Sequence, residues 1–180
     1  VIHDLVEEDM QDRAPGSLFV ATQMENNPMS NGRFVWRDLN SVDPDVSKAF
    51  FSGLLGWEYT DMSMGEMSYF LFGVNGVNIG GVSKLDPDQG IPSNFSSYLL
   101  VEDVDAAAQK AVSLGGKLLF GPDDIPNVGR FAALLDPEGA AFNLFKNGPG
   151  YSNPPVADGR TPFGTVSWNE LLSADPTAEF

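Results

Sequence analysis

The feature that most constrains the fold is a unit that occurs twice and begins a third time. Residues 33–83 and 95–146 each read as strand, helix, then further strands. At Gly164 the run Gly164-Thr165-Val166-Ser167-Trp168-Asn169-Glu170-Leu171 echoes Gly32-Arg33-Phe34-Val35-Trp36-Arg37-Asp38-Leu39. Each copy then reaches Asp-Pro, at Asp43-Pro44 and Asp175-Pro176. A unit that cannot cover its own sheet needs a second to form a closed core. The expected organisation is therefore one paired module over 29–146, with units 33–83 and 95–146. A linker follows over 147–163, and 164–180 would hold the first strand and helix start of a truncated second module. Residues 1–28 are polar and show no sustained period. They are expected to be a disordered or non-native tail, with Met29 as the natural start.

Local signals place the elements. Asp43 can cap the free amides of a helix whose first residue is Pro44. Val46, Phe50, Leu54 and Leu55 lie at helical spacing, so they predict the apolar face, and Gly56 ends the helix. Trp57 to Asp61 reads as strand, and Trp57, just past the helix stop, as core. Tyr69–Val74 and Val77–Val82 flank Asn75-Gly76, the clearest hairpin signal in the chain. In the second unit Asp103 or Asp105 caps a helix with Val104, Ala107, Ala108, Ala111, Val112 and Leu114 on its apolar face, and Gly115-Gly116 stops it. Lys117–Phe120 predicts a strand, Pro122–Gly129 a loop, and Arg130–Leu135 and Ala140–Phe145 a second hairpin. Gly80-Gly81 marks a bulge or a close backbone approach.

Charge and composition exclude several classes. The net charge is −15, from 25 acids against 10 bases. Phosphate contacts need Lys and Arg, so neither nucleic acid nor an anionic membrane surface is an expected partner. No run of about 18 apolar residues is present, so no membrane-spanning helix is expected. Cysteine is absent, which removes disulfides, thiolate metal sites and a cysteine nucleophile and fits a cytoplasmic location. The single histidine, His3, lies in the tail, so Ser-His-Asp catalysis is not expected either.

The segments Asp43-Pro44, Ala49-Phe50-Phe51, Leu54-Leu55-Gly56-Trp57, Val101-Glu102-Asp103-Val104-Asp105-Ala106-Ala107, Leu114-Gly115-Gly116 and Leu135-Asp136-Pro137-Glu138-Gly139-Ala140 resemble the vicinal oxygen chelate superfamily. This group includes glyoxalase I, bleomycin-resistance proteins, fosfomycin-resistance enzymes and extradiol dioxygenases. The resemblance covers about 33–146. It implies an α+β fold of paired βαβββ units forming a cup-shaped, partly open mixed β-barrel with helices outside. Enzymes of the family hold a divalent metal in the cup, on His, Glu or Gln from the first and last strands of the units.

The resemblance also shows where this chain departs. The family's first ligand position falls on Trp36, and the same count in the second unit gives Ser96. The third, usually a Glu seven residues beyond the Asp of the Asp-Pro-x-Gly turn, is Asn143. An indole cannot ligate, a serine hydroxyl ligates poorly, and an amide offers one neutral carbonyl. No metal centre and no other cofactor is therefore expected in this module.

Strand alternation then defines a candidate site. If Trp36 points inward, Asp38 and Asn40 share its face. If Ser96 points inward, so does Tyr98, and Asn143 shares a face with Phe145. The lining is aromatic with a few polar groups, as in a small-molecule pocket. Asp38 is the candidate catalytic residue, because a partly desolvated carboxylate can act as a general base. Trp36, Asn40, Ser96, Tyr98, Asn143 and Phe145 are the candidate substrate-binding residues. Trp168 and Glu170 repeat the Trp36–Asp38 spacing.

Three functions compete. The first is a metal-free protein of the bleomycin-resistance type, binding a small molecule in the cup. The second is an isomerase or lyase, either with Asp38 as base or with its metal in the missing second module. The third is a scaffold for its partner module. In each case the module is expected to pair with a second glyoxalase-like module, in the same chain or as a homodimer.

Overall fold

The computed structural model describes residues 32–63, 68–150 and 163–173. The expected tail over 1–28 and most of the expected linker lie outside these residues. Two units follow one plan. The first is β1 (Phe34–Ser41), α1 (Pro44–Leu55), β2 (Glu58–Asp61), β3 (Tyr69–Val74) and β4 (Val77–Lys84). The second is β5 (Asn94–Leu100), α2 (Val104–Ser113), β6 (Lys117–Ile125), β7 (Gly129–Leu135) and β8 (Ala141–Asn147), reached through a short 3-10 turn at Pro87–Gln89.

The strands form one eight-stranded sheet in the order β2-β3-β4-β1-β5-β8-β7-β6. Outward from the β1–β5 seam, both halves use their strands in the same sequence, so the repeat in the chain becomes a two-fold repeat in space. β1 runs parallel to β4 and β5 parallel to β8, whereas β1 and β5 are antiparallel. The sheet is mixed and open, with β2 and β6 as its edges.

The helix starts follow the sequence closely. Asp43 accepts from the Val46 amide at 3.1 Å, and Asp103 from the Ala106 amide at 2.9 Å. Gly56 closes α1 in the left-handed region, where a side chain would be strained. The β3–β4 turn puts Asn75 at φ 53 and Gly76 at φ 75, the positive pair that an Asn-Gly hairpin needs.

Both helices cover one face of the sheet. Phe51 of α1 stacks on Trp57, with centroids 4.7 Å apart, and Trp57 stacks on Phe72 at 4.0 Å. Trp57 and Phe72 sit with Leu39 and Val82 in one buried cluster. Val104 and Ala108 of α2 pack on Ala132, Leu134 and Leu144 in another. Full burial of an aromatic or aliphatic side chain contributes about 1.5–3 kcal/mol, so these two clusters hold the helices to the sheet. Among the described residues, no helix is long and apolar enough to cross a membrane.

Two expectations are corrected. The predicted apolar face of α1 is turned outward, with Val46, Phe50 and Leu54 exposed by 60–65%. Contacts on the neighbouring side of the helix set its rotation. The Ser41 and Ser47 hydroxyls lie 2.7 Å apart, Ser52 donates to the Trp57 carbonyl at 2.6 Å, and the Lys48 ammonium sits 3.4 Å above the Phe70 ring. One residue of helical phase is about 100°, so anchoring Ser47, Phe51 and Ser52 swings Phe50 to solvent. The second correction is β6, which continues to Ile125 through the expected loop. It is an edge strand, where proline is tolerated, and the register shift between Phe120 and Asp123 takes up Gly121-Pro122. Of the expected start of a second module over 164–180, residues 164–173 are described and carry a turn and coil. Gly164 accepts from the Trp57 indole at 2.6 Å, and Asn169 from Arg37 at 2.6 Å.

Candidate functional site

The sheet face opposite the helices collects most of the candidate residues at the β1–β5 seam. Trp36 pairs with Tyr98, Asp38 with Ser96 and Asn40 with Asn94, while Tyr98 pairs with Asn143 across β5–β8. A register shift between Phe34 and Trp36 turns both Val35 and Trp36 toward this face.

Asp38 is buried, and three side chains donate to its carboxylate. The Trp36 indole reaches Oδ1 at 3.1 Å, the Tyr69 hydroxyl reaches Oδ1 at 2.9 Å, and the Tyr98 hydroxyl reaches Oδ2 at 2.6 Å. Burial pushes the Asp38 carboxyl above the usual carboxylate range, and the bonds from Tyr98, Tyr69 and Trp36 pull partly back. Burial also pushes the Tyr98 phenol upward, reinforced by the Asp38 charge.

This cage needs glycine at 81, and the core behind it needs glycine at 80. A Cβ on Gly81 would strike the Tyr69 hydroxyl and lie 2.6 Å from Asp38 Oδ1. A Cβ on Gly80 would strike the Phe72 ring on the other face. Gly80-Gly81 is therefore the close approach that the sequence signalled.

Beside the cage lies a neutral network. Asn40 Nδ2 donates to Asn94 Oδ1 and Ser96 Oγ, both at 3.2 Å, and Asn40 Oδ1 accepts from Ser83 at 2.7 Å. Asn143 Nδ2 donates to Ser96 Oγ at 3.1 Å and to the Ser97 carbonyl at 3.5 Å. Toward β6 the face becomes aromatic: the Tyr98 and Phe131 centroids are 6.4 Å apart, and Phe131 stacks on Phe120 at 5.5 Å.

The face thus unites Trp36, Asp38, Asn40, Ser96, Tyr98 and Asn143. Phe145 behaves differently. It is 4% exposed and packs with Val35 and Leu100, so it supports the face from below. Trp168 and Glu170 are exposed and lie in coil, away from the strand pairing of β1. Sequence reasoning missed Tyr69, Ser83, Asn94, Phe120 and Phe131. The glycine at 81 was the available signal for Tyr69, since it leaves a space that a neighbouring strand must fill.

The donor set does not fit the metal of the resembling enzymes. Trp36, Ser96 and Asn143 occupy the ligand positions, and Asp38 already accepts three hydrogen bonds. Among the described residues, no group of three His, Cys, Asp or Glu could hold a metal ion. Two shallow depressions lie elsewhere, one lined by α2, Leu118 and Pro122, the other between the Asn127 turn and Lys146–Pro149. Neither contains the seam residues. The seam is the candidate because polar chemistry converges there, which shape alone does not reveal.

The family model for the Glyoxalase/Bleomycin resistance protein/Dioxygenase superfamily matches residues 33–144. The chain belongs to this superfamily. It is 35% identical over 119 residues to "Putative glyoxylase CFP32" of Mycobacterium tuberculosis, covering 66% of this chain and 45% of that protein. It is 30% identical over 161 residues to "Anthracycline biosynthesis protein DauV" of Streptomyces sp. strain C5, covering 80% of this chain and 56% of that protein. The chain spans about half the length of these curated relatives. A Streptomyces coelicolor methylmalonyl-CoA epimerase superposes with a TM-score of 0.50 at 17% identity, over 66% of this chain and 99% of that one. At that identity the likeness shows the fold. The glyoxalase-like fold expected from the sequence, with open mixed sheet and helices on one face, is the fold observed.

Proposed function

We propose that this glyoxalase-like module binds a small molecule on the helix-free face of its sheet, without a metal. Trp36, Asn40, Ser96, Tyr98 and Asn143 would bind it, and Phe131 and Phe120 would extend the apolar floor. The observation that carries this reading is the state of Asp38. Its two oxygens take three internal donors at 2.6–3.1 Å, which leaves one lone pair, on Oδ2, of a carboxylate 7% exposed, so it serves first to hold the face together. A general base needs a lone pair within reach of the substrate proton. The name of the relative DauV, with its anthracycline, is in keeping with a planar aromatic ligand.

An isomerase or lyase with Asp38 as base is the second reading. The raised Asp38 carboxyl favours it, because burial moves an acid toward the range of a working base. Residues 164–180 remain our proposed start of a second module, which could carry a metal site of its own. Pairing of the module, with that second module or with another copy, is supported by the outward stripe of Val46, Phe50 and Leu54.

The test is a backbone-amide NMR titration with planar aromatic fragments, beside a thermal-shift titration with Mn, Fe, Zn and Ni. The expected result is fragment-induced shifts centred on Trp36, Ser96, Tyr98 and Asn143, and no metal stabilisation. Stoichiometric metal with clear stabilisation, or fragment shifts only at other surfaces, would overturn the binding reading.

A further inference from the structure

The three groups that donate to Asp38 all belong to aromatic side chains, and none of them is a cation. The Trp36 indole and the Tyr69 and Tyr98 hydroxyls reach its oxygens at 2.6–3.1 Å. The ion pairs among the described residues join Lys48 to Asp45 and Arg130 to Asp105 and Asp124, and none reaches Asp38. Arg37, the residue before it on β1, turns its guanidinium elsewhere, to Asn169 at 2.6 Å and over the Phe34 ring. Yet Asp38 is only 7% exposed. A carboxylate so deeply placed is normally matched by a positive charge. Without one it meets the cost of burial by holding a proton, and burial does push Asp38 in that direction.

We propose that the countercharge comes from the ligand: the seam takes an alkylated ammonium group, seated on the Trp36 and Tyr98 rings in front of Asp38. The inference rests on the binding reading above and adds the charge of the ligand to it.

The rings suit such a cation. Trp36, Tyr69 and Tyr98 are each partly exposed. An aromatic face attracts a cation within about 6 Å of its centroid, and tryptophan does so most strongly. Trp36 packs on no other ring among the described residues. The two cation–π contacts described, Arg37 on Phe34 and Lys48 on Phe70, leave Trp36 and Tyr98 without a cation. A ring that donates to a carboxylate is polarised by it, which strengthens its pull on a cation. A metal ion fits less well, because it needs several oxygen or nitrogen ligands and Asp38 keeps one lone pair. Beyond the cage, Tyr98 and Phe131 lie 6.4 Å apart, and Phe120, stacked on Phe131, is 54% exposed, so a planar apolar body can rest there.

The experiment compares three probes built on one ring system, trimethyl(2-naphthylmethyl)ammonium, 2-naphthalenemethanol and the 2-naphthoate anion, by NMR titration of the full chain. The ammonium is expected to bind about tenfold more tightly than the neutral alcohol, and the anion should bind weakest. Its shifts should centre on the Trp36 indole and on Tyr98. In Asp38→Asn, which keeps all three rings, the advantage of the ammonium should fall to about threefold or less. That variant removes one acid of 25, so it separates this site from general attraction to a chain of net charge −15. An advantage that survives undiminished in Asp38→Asn overturns the proposal. The wild-type comparison is decisive by itself: equal binding of ammonium and alcohol on this face overturns the ammonium site and leaves the binding reading standing. Tightest binding by the anion on this face does the same. Binding of none of the probes to this face overturns both.

Discussion

Replacing Asp38 separates two effects that the structure sets against each other, the cost of burying a carboxylate and the benefit of three donors aimed at it. In Asp38→Leu the Tyr69 and Tyr98 hydroxyls lose their acceptor, and the Trp36 indole keeps only its longer bond to the Tyr69 hydroxyl at 3.3 Å. A buried donor left unmet costs about 1–3 kcal/mol. The two hydroxyls can rotate and the indole is left with one long contact, so the gross loss is about 3–5 kcal/mol. Removing the buried carboxylate returns part of this, leaving a net loss of about 2–4 kcal/mol. That is a large share of the 5–15 kcal/mol typical of a domain. Asp38→Asn keeps the shape, and its Oδ1 still accepts from Trp36 and Tyr69. Its Nδ2 faces the Tyr98 hydroxyl where a 2.6 Å bond stood, so the expected loss is about 1–2 kcal/mol.

The pH dependence follows from the direction of the Asp38 shift. Burial raises its folded value above that of the unfolded chain, about 3.9. Between the two values the folded protein holds the proton and the unfolded chain releases it, so stability falls as pH rises. The contribution of Asp38 is full below about pH 4 and declines as pH climbs through the raised folded value. Urea unfolding followed by far-ultraviolet circular dichroism, from about pH 4 to pH 8, should show wild type exceeding Asp38→Asn most at the acid end. A gap that widens with pH would show that the three donors outweigh burial. Wild-type stability in Asp38→Leu would refute the view that the cage depends on this carboxylate.

Two further outcomes are expected. Gly81→Ala should lose about 1–3 kcal/mol, because its Cβ competes with the Tyr69 hydroxyl and Asp38 Oδ1 for one space, and an unchanged melting temperature would contradict this. Light scattering should show concentration-dependent association that Phe50→Glu abolishes, while a wild-type monomer at every concentration would remove pairing with another copy.

The caps, turns and repeat were legible in the sequence because each depends on a few neighbouring residues. Asp43-Pro44, Asn75-Gly76 and Gly115-Gly116 act through local backbone geometry, and the resemblance of the motif segments to the superfamily implied the α+β architecture of paired units. Strand alternation likewise placed Trp36, Asp38 and Asn40 on one face, because side chains on a strand alternate wherever it pairs. The rotation of α1 was not legible, since hydrophobic period shows that a helix has an apolar stripe but not what the stripe meets. Alternation likewise gives the face and not the depth, so it did not show that Phe145 packs with Val35 and Leu100.

The chemistry of the seam was decided by tertiary structure alone. Tyr69 reaches Asp38 from β3, two strands away, and only because β4 passes between them with Gly81 at the crossing. Ser96 and Asn143 lie 47 residues apart and meet through the parallel β5–β8 register. Sequence determined which elements form, because those rules act within a few residues. Which polar side chains meet depends on strands brought together by pairing, and no local pattern encodes that meeting.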